Sequence, residues 1–249
     1  MVDEKDFRYV AHLDMLGMSA LAERDPDRAW KALCGLTQAK DERFRLAFEV
    51  VKTGELIKDR VTTFTFSDTV VAFSVGDSDS DLRAMVILVA EFFARALFYR
   101  IPLRGGIAHG RFMFNFDHNL FAGPALVHAY RLSEDAQWLG IRVDERVAKH
   151  AETIALQAKG GYPSIAAWRV PVAGGGSESS HVIDWVAAHR TNFKVSPPFS
   201  ATQFYEPFAE TFGSFDSLPA AVRRKYENTV AFINERFASC ADNTMAPTR

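Results

Sequence analysis

The sequence has little cysteine, no long apolar run and no excess of one charge. Its two cysteines among 249 residues are too few for a disulfide framework and favour a reducing compartment. No apolar run approaches the roughly 20 residues of a membrane-spanning helix, and the charged beginning, MVDEKDFRYV, lacks the apolar stretch of a signal peptide. The 29 basic and 31 acidic residues give a net charge of −2, which argues against a dedicated nucleic-acid binder. We therefore expect a cytoplasmic globular protein that binds neither nucleic acid nor a membrane.

Several common catalytic motifs are missing as well. The sequence contains no GxxxxGK[ST] phosphate loop, no GxGxxG and no HExxH. Neither cysteine has a partner at metal-binding spacing, and Cys34 falls on the apolar face of a predicted helix, where we expect it in the core. These absences exclude the commonest motif-defined nucleotide and zinc sites.

Hydrophobic periodicity predicts the order strand, helix, strand, strand, helix, strand, which is typical of a ferredoxin-like α+β domain. We expect residues 1–155 to form the core, and residues 156–249 to complete the same domain as a C-terminal extension. The predicted strands are 7–13, 61–66, 69–75 and 103–112, with further strands near 167–172 and 181–186. The predicted helices are 26–52, 82–100, 124–138 and 217–238.

Two aspartates stand where this fold brings strand ends together. Asp14 ends the first strand, and Asp68 lies at the tip of the tight hairpin between the second and third strands. Because the first and third strands are neighbours in a ferredoxin-like sheet, the two carboxylates can meet at one edge. Paired carboxylates suit hard divalent cations that carry nucleotide phosphates. Taken singly, Asp14 is more simply a helix cap and Asp68 a turn residue.

Four segments in sequence order resemble the motifs of class III nucleotidyl cyclases. LDMLGMSAL (13–21) resembles their first metal motif and TFSDTVVAF (65–73) the second. PLRGGIAHG (102–110) resembles the strand that follows, and GPALVHAYRL (123–132) resembles the arm helix with the catalytic asparagine and arginine. The resemblance covers about residues 7–150 and implies a ferredoxin-like cyclase catalytic domain, a βαββαβ palm.

The resemblance implies a site for two Mn²⁺ or Mg²⁺ ions. Asp14 and Asp68 would be their ligands, together with the backbone carbonyl of Met15. Three backbone N–H groups at a helix start would bind the triphosphate. They are those of Leu16, Gly17 and Met18.

Arg131 falls on the arginine of the family that stabilises charge on the α-phosphate during attack by the ribose 3′-hydroxyl. The alternative is a solvated arginine that pairs with Glu134 or Asp135 on the same helix. In the family this helix reaches across a two-fold interface, which implies a homodimer with shared sites. The apolar face that would meet the partner consists of Leu126, Ala129 and Tyr130.

Three positions depart from the pattern of the family. Val127 replaces the catalytic asparagine, and His128 beside it could brace the ribose instead. Phe64 and Leu120 stand where adenylate cyclases read adenine, and the guanine-reading glutamate and cysteine are absent as well. Each polar group of a buried base that lacks a hydrogen-bond partner costs a few kcal/mol of binding free energy. We therefore expect this apolar pair to bind a purine base weakly.

A smaller pyrimidine base suits such a pocket better. The combination resembles the pyrimidine cyclases of bacterial antiphage (Pycsar) systems, which make cyclic UMP or cyclic CMP as messengers for a separate effector protein. We predict that the substrate is UTP and the product 3′,5′-cyclic UMP, because Thr63 and Thr65 could address the uracil edge. The alternatives are a cytidylate cyclase that uses CTP, a purine cyclase, and a non-catalytic nucleotide-binding module, the last favoured by Val127.

Overall fold

The structure, a computed structural model, describes residues 7–46, 60–157, 164–186 and 199–243. Its main sheet has seven strands, and a separate two-stranded hairpin lies beside it. The strands are β1 (Phe7–Met15), β2 (Val61–Phe66), β3 (Thr69–Ser74), β4 (Leu103–Arg111), β5 (Met113–Asn115), β6 (Leu120–Ala122), β7 (Ile141–Val143), β8 (Ile165–Pro171) and β9 (Ser177–Ile183). The helices are α1 (Met18–Arg24), α2 (Pro26–Leu46), α3 (Asp79–Phe98), α4 (Pro124–Asp135), α5 (Glu145–Thr153), α6 (Ala201–Tyr205), α7 (Ala209–Phe212) and α8 (Ala220–Asn243).

The first four strands have the predicted ferredoxin-like arrangement. The sheet order is β2-β3-β1-β4-β7-β9-β8, and β1 pairs antiparallel with both β3 and β4. Two residues connect β2 to β3, as the hairpin prediction requires. Beyond β4, the parallel neighbour β7 and the antiparallel pair β8–β9 extend the same sheet. The predicted α+β fold class is confirmed.

The two faces of the sheet are built differently because side chains alternate along each strand. On β1, Leu13 and Met15 face the main core, which α3 also enters with a row of buried apolar residues. The alternate residues of the strand, Val10, His12 and Asp14, face the opposite side, which we call the open face. Capping of α3 by Ser78 fixes where that helix starts.

Helix α4 lies on the open face, close against β4. A Cβ atom at Gly106 would come within 2.3 Å of the Ala129 carbonyl oxygen, so only glycine allows this approach. Ala125, Ala129 and Ser133 form the buried side of the helix. The glycine in β4 therefore sets the distance between α4 and the sheet.

The C-terminal segment returns to the N-terminal part of the chain. The ring of Phe212 lies 3.6 Å from where a Cβ of Gly17 would be, and Arg24 donates hydrogen bonds to the carbonyls of Thr211 and Phe212. The predicted last helix is present as α8. The sequence showed no clear period in 191–215, yet residues 199–217 form α6, α7 and two 3₁₀ turns, Glu206–Phe208 and Phe215–Ser217.

Four further details concern the sequence predictions. Cys34 is exposed, not in the core, because it lies on the solvent side of α2. Helix α2 is described only to Leu46, so the predicted continuation to residue 52 lies outside the described residues. No helix in the described part of the chain is both long and apolar enough to cross a membrane. The short elements β5, β6, β7 and α5 were not predicted.

Candidate active site

Asp14 and Asp68 lie beside each other at one edge of the sheet. In the pairing of β1 with β3, Asp14 stands opposite Thr69, the residue after Asp68. The Met15 N–H donates a hydrogen bond to the Asp68 carbonyl oxygen at 3.1 Å, which fixes the hairpin tip against the end of β1. Strand pairing thus brings together two carboxylates that are far apart in the sequence.

One of the two carboxylate oxygens of Asp14 accepts hydrogen bonds from an arginine. Arg104 of β4 donates to Asp14 Oδ2 through Nε at 3.2 Å and Nη2 at 3.1 Å, and Oδ1 has no hydrogen-bond partner among the described residues. Burial raises the pKa of Asp14, and the charges of Asp68 and Glu134 add to this, whereas Arg104 acts in the opposite direction. One oxygen of Asp14 is therefore available to another positive charge.

Arg104 also ties this edge to the end of α4. Its guanidinium forms an ion pair with the Glu134 side chain and donates to the Glu134 carbonyl at 3.1 Å. Only 11% of the Arg104 side chain is exposed. No role was predicted for Arg104, although the basic position before the glycine pair in PLRGGIAHG belongs to the cyclase-like pattern.

The oxygen atoms at this edge fit a hard divalent cation. Asp14 and Asp68 supply carboxylates. Oδ1 of Asp14 could serve as a metal ligand, because it forms no competing hydrogen bond among the described residues. The described residues contain no group of three or more histidine, cysteine or acidic side chains placed to hold a metal ion. Further ligands for an ion would have to come from backbone carbonyls, such as that of Met15, and from phosphate oxygens.

The three predicted phosphate-binding N–H groups are not equivalent. The Leu16 N–H donates to the Pro102 carbonyl at 2.8 Å and is therefore not free for a phosphate, which corrects the prediction for that residue. Gly17 precedes α1 with a positive φ of 82°, and its carbonyl accepts the first helical hydrogen bond, from Leu21. No acceptor within the described residues engages the N–H groups of Gly17 or Met18.

His12, two residues before Asp14, connects the sheet to α4. Its Nδ1 lies 3.0 Å from Ser133 Oγ, and the Tyr130 ring packs edge-on against the imidazole. Burial, with the nearby positive charge of Arg104, lowers the pKa of His12 to about 4. The imidazole is consequently neutral near pH 7 and acts as a hydrogen-bonding group.

Arg131 lies on the outward side of α4, opposite the residues that touch the sheet. It is exposed, and no acid of the described residues forms an ion pair with it. The alternative pairing with Glu134 is not formed, because Glu134 binds Arg104. Val127 lies on the same outward side and is 48% exposed. His128 Nδ1 is 3.5 Å from Asp144 Oδ2, so its imidazole is turned to α5.

The predicted base-pocket residues do not face each other. The Phe64 ring stacks on Phe121, with centroids 3.8 Å apart and an interplanar angle of 13°. Leu120 points away, since neighbouring residues of a strand alternate, and it is 61% exposed. Phe121 is thus the partner of Phe64.

The threonines predicted to address the uracil edge lie on the other face of β2. Thr65 accepts a hydrogen bond from the Lys40 ammonium group of α2 at 3.0 Å, and Thr63 has the same orientation along the strand. They are separated from Phe64 by the sheet itself. The prediction that these two threonines favour UTP over CTP is therefore wrong.

No protein-family profile matches this sequence, and no curated protein matches it. Solved structures do match in fold. The adenylyl cyclase CyaB from P. aeruginosa superposes with a TM-score of 0.52 at 15% identity, over 73% of this chain and 95% of that one. The catalytic core of a rhodopsin-guanylyl cyclase with converted specificity, in complex with ATPalphaS, superposes with a TM-score of 0.50 at 14% sequence identity. The match covers 73% of this chain and 97% of that one. A bacterial light-regulated adenylyl cyclase superposes with a TM-score of 0.52 at 12% sequence identity, and this chain covers 57% of that one.

The chain shares its fold with these adenylyl and guanylyl cyclase structures. Within that fold, the face predicted to meet a partner is only partly available. Ala129 is fully buried against β4. Leu126 packs on the apolar cluster of the open face, which includes Phe73 and Phe112. Tyr130 is 48% exposed, as is Val127, so these two are the exposed large apolar side chains of α4.

Proposed function

We propose that this protein is a pyrimidine nucleotide cyclase that converts UTP or CTP to the 3′,5′-cyclic monophosphate and diphosphate. The observation that carries the proposal is the juxtaposition of Asp14 and Asp68 at one sheet edge, on a cyclase fold, with Arg131 exposed on the outward side of α4 and paired with no acid of the described residues. The site would work in a homodimer, and the cyclic product would act on a separate effector protein in antiphage defence.

In this reaction the ribose 3′-oxygen bonds to the α-phosphorus while the bond from that phosphorus to the bridging oxygen of the diphosphate breaks. The 3′-hydroxyl loses its proton, and diphosphate leaves. Asp14, Asp68 and the Met15 carbonyl would hold two Mn²⁺ or Mg²⁺ ions, which acidify the hydroxyl and neutralise the triphosphate. Arg131 of the partner subunit would stabilise charge on the α-phosphate, since its own helix turns it away from its own sheet.

The Phe64–Phe121 stack supports a pyrimidine substrate. Two stacked rings offer no donor or acceptor to the polar edge of a purine, and they fill space that a two-ring base would need. Uracil and cytosine are smaller and can pack against the edge of the stack. Because the stack is apolar, it supports UTP and CTP equally.

The decisive experiment is incubation of the protein with Mn²⁺ and each of the four nucleoside triphosphates, followed by separation of the products. We expect cyclic UMP or cyclic CMP, with the purine products lower by a large factor in kcat/KM. Asp14→Asn and Asp68→Asn should each reduce kcat by at least about 100-fold while the protein stays folded, because each removes a carboxylate charge from the metal site. Preferred formation of cyclic AMP or cyclic GMP would reject the pyrimidine assignment, and wild-type turnover in either variant would reject the metal site.

Val127 favours a second candidate, a nucleotide-binding module without turnover. An exposed valine at this position offers no hydrogen bond to the ribose, and His128 is engaged with Asp144. Such a module would bind a nucleoside triphosphate without forming any cyclic product. The same assay, with binding measured by calorimetry, distinguishes the two functions.

A further inference from the structure

The helix α8 packs against the segment that follows α4. Arg104 joins the end of α4 to the sheet edge that carries Asp14 and Asp68, which we call the metal edge. The Asn228 side chain donates to the Gln137 carbonyl at 2.6 Å, and Thr229 Oγ1 accepts from the Leu139 N–H at 2.8 Å. Thr229 Oγ1 also donates to the Lys225 carbonyl at 2.7 Å. These bonds hold the turn of α8 that begins at Lys225 against the segment that directly follows α4.

Lys225 brings a positive charge into this region. Its side chain is half-buried, and burial lowers its pKa, with Arg104 acting in the same direction and Glu134 and Asp14 opposing. No carboxylate of the described residues lies within ion-pair distance of its ammonium group. Arg104, in contrast, already binds both Asp14 and Glu134. Lys225 is therefore a cation near the metal edge whose charge is not matched by a contacting acid in the described part of the chain.

We propose that Lys225 binds the terminal phosphates of the nucleoside triphosphate, so that the C-terminal extension supplies a phosphate-binding residue to the metal site of its own chain. This inference rests on the proposed function. A half-buried ammonium group favours an anion that restores the solvation it has lost, and a diphosphate group is a strong acceptor for it. The side chain has the flexible stem that such a contact needs, because lysine acts as a movable point charge.

The position of Lys225 gives it a role distinct from that of Arg131. Arg131 lies on the outward side of α4, whereas the ammonium group of Lys225 is close enough to Arg104 and Asp14 of the same chain for their charges to affect its pKa. The diphosphate is present both in the substrate and in the leaving group, so Lys225 would hold both. Its loss should raise KM more than it lowers kcat, since an interaction made equally in ground and transition states affects KM alone.

The test is the binding of inorganic diphosphate, which does not depend on turnover. We would measure its dissociation constant by calorimetry, with and without Mn²⁺, for the wild type, Lys225→Met and Lys225→Arg. The matched control is Arg224→Met, which removes one positive charge from the exposed neighbouring position of α8. Melting temperatures of all four proteins show whether each variant is folded.

We expect Lys225→Met to weaken diphosphate binding at least tenfold and to raise KM for the nucleotide by a similar factor. Lys225→Arg should retain most of the affinity, and Arg224→Met should match the wild type. Unchanged diphosphate affinity in folded Lys225→Met would overturn the inference, even if the wild type makes a cyclic nucleotide. If the wild type makes no cyclic nucleotide but loses diphosphate binding in Lys225→Met, the proposed function fails and the phosphate site stands.

Discussion

At the scale of single residues, His12 makes the free energy of unfolding depend on pH. Its pKa is about 4 in the folded protein and about 6.5 in an unfolded chain, so the unfolded state binds a proton that the folded state does not over this range. The stabilising contribution of the neutral imidazole is complete above pH 6.5 and is lost as the pH falls towards 4. The loss amounts to about 3 kcal/mol.

Urea unfolding at a series of pH values, in metal-free buffer, measures this effect in the wild type and in His12→Asn. Asparagine can keep a hydrogen bond to Ser133 but does not titrate. We expect the unfolding free energy of the wild type to fall more steeply between pH 6.5 and 4 than that of the variant. Parallel curves for the two proteins would show that His12 does not titrate in this range.

The residues of the candidate site differ in whether the sequence alone could predict them. Asp14 and Asp68 could be predicted because a tight hairpin and the end of a strand are local features that the fold brings together. The partner of Phe64 was missed because Leu120 and Phe121 are adjacent, and only the register of the small β5–β6 hairpin decides which one faces inward. Lys225 could not be predicted, since its role depends on where α8 packs, and nothing in the local sequence encodes that contact.

At the scale of elements, the contact between α4 and β4 depends on Gly106. An added Cβ would lie 2.3 Å from the Ala129 carbonyl oxygen and 2.7 Å from Leu132 Cβ, so the helix must move away. We expect Gly106→Ala to lower the unfolding free energy by about 1–3 kcal/mol and to reduce the proposed cyclase activity, because α4 carries Arg131.

Gly35 offers a matched control in the middle of α2. A Cβ there would lie 3.5 Å from Ile101 Cδ1, an ordinary contact, and alanine favours a helix over glycine by about 1 kcal/mol. Gly35→Ala should therefore be neutral or stabilising in urea unfolding, with unchanged activity. Equal stability of the two variants would contradict the steric role of Gly106.

The elements themselves were predictable to different degrees. Long periodic segments such as α3 and the β2–β3 hairpin were recognised, since each carries its own pattern of buried residues. The three-residue strand β7 and the short helices α6 and α7 were missed, because segments of this length have no measurable period. They form because the sheet edge and the core surround them.

At the scale of the whole molecule, the proposed dimer predicts complementation. Asp68→Ala and Arg131→Ala proteins should each be nearly inactive alone, since every site in either homodimer lacks one group. A mixed dimer would contain one site with both aspartates and an arginine, and should regain a fraction of wild-type activity. The measurement is product formation after subunit exchange, verified by mass spectrometry. A mixture that exchanges but stays inactive, or a fully active monomer, would contradict shared sites.

The contact of Phe212 with Gly17 has a consequence for how the cell makes this protein. Arg24 binds the carbonyls of Thr211 and Phe212, so the loop that follows Asp14 is completed by residues that are translated long after it. A ribosome-bound chain that has emerged only to residue 155 therefore lacks the packing around that loop, although β1 to β4 are all outside the exit tunnel. That loop acquires its full packing only when α7 has emerged, and every nascent chain passes through an earlier stage of synthesis in which the packing around the loop is incomplete.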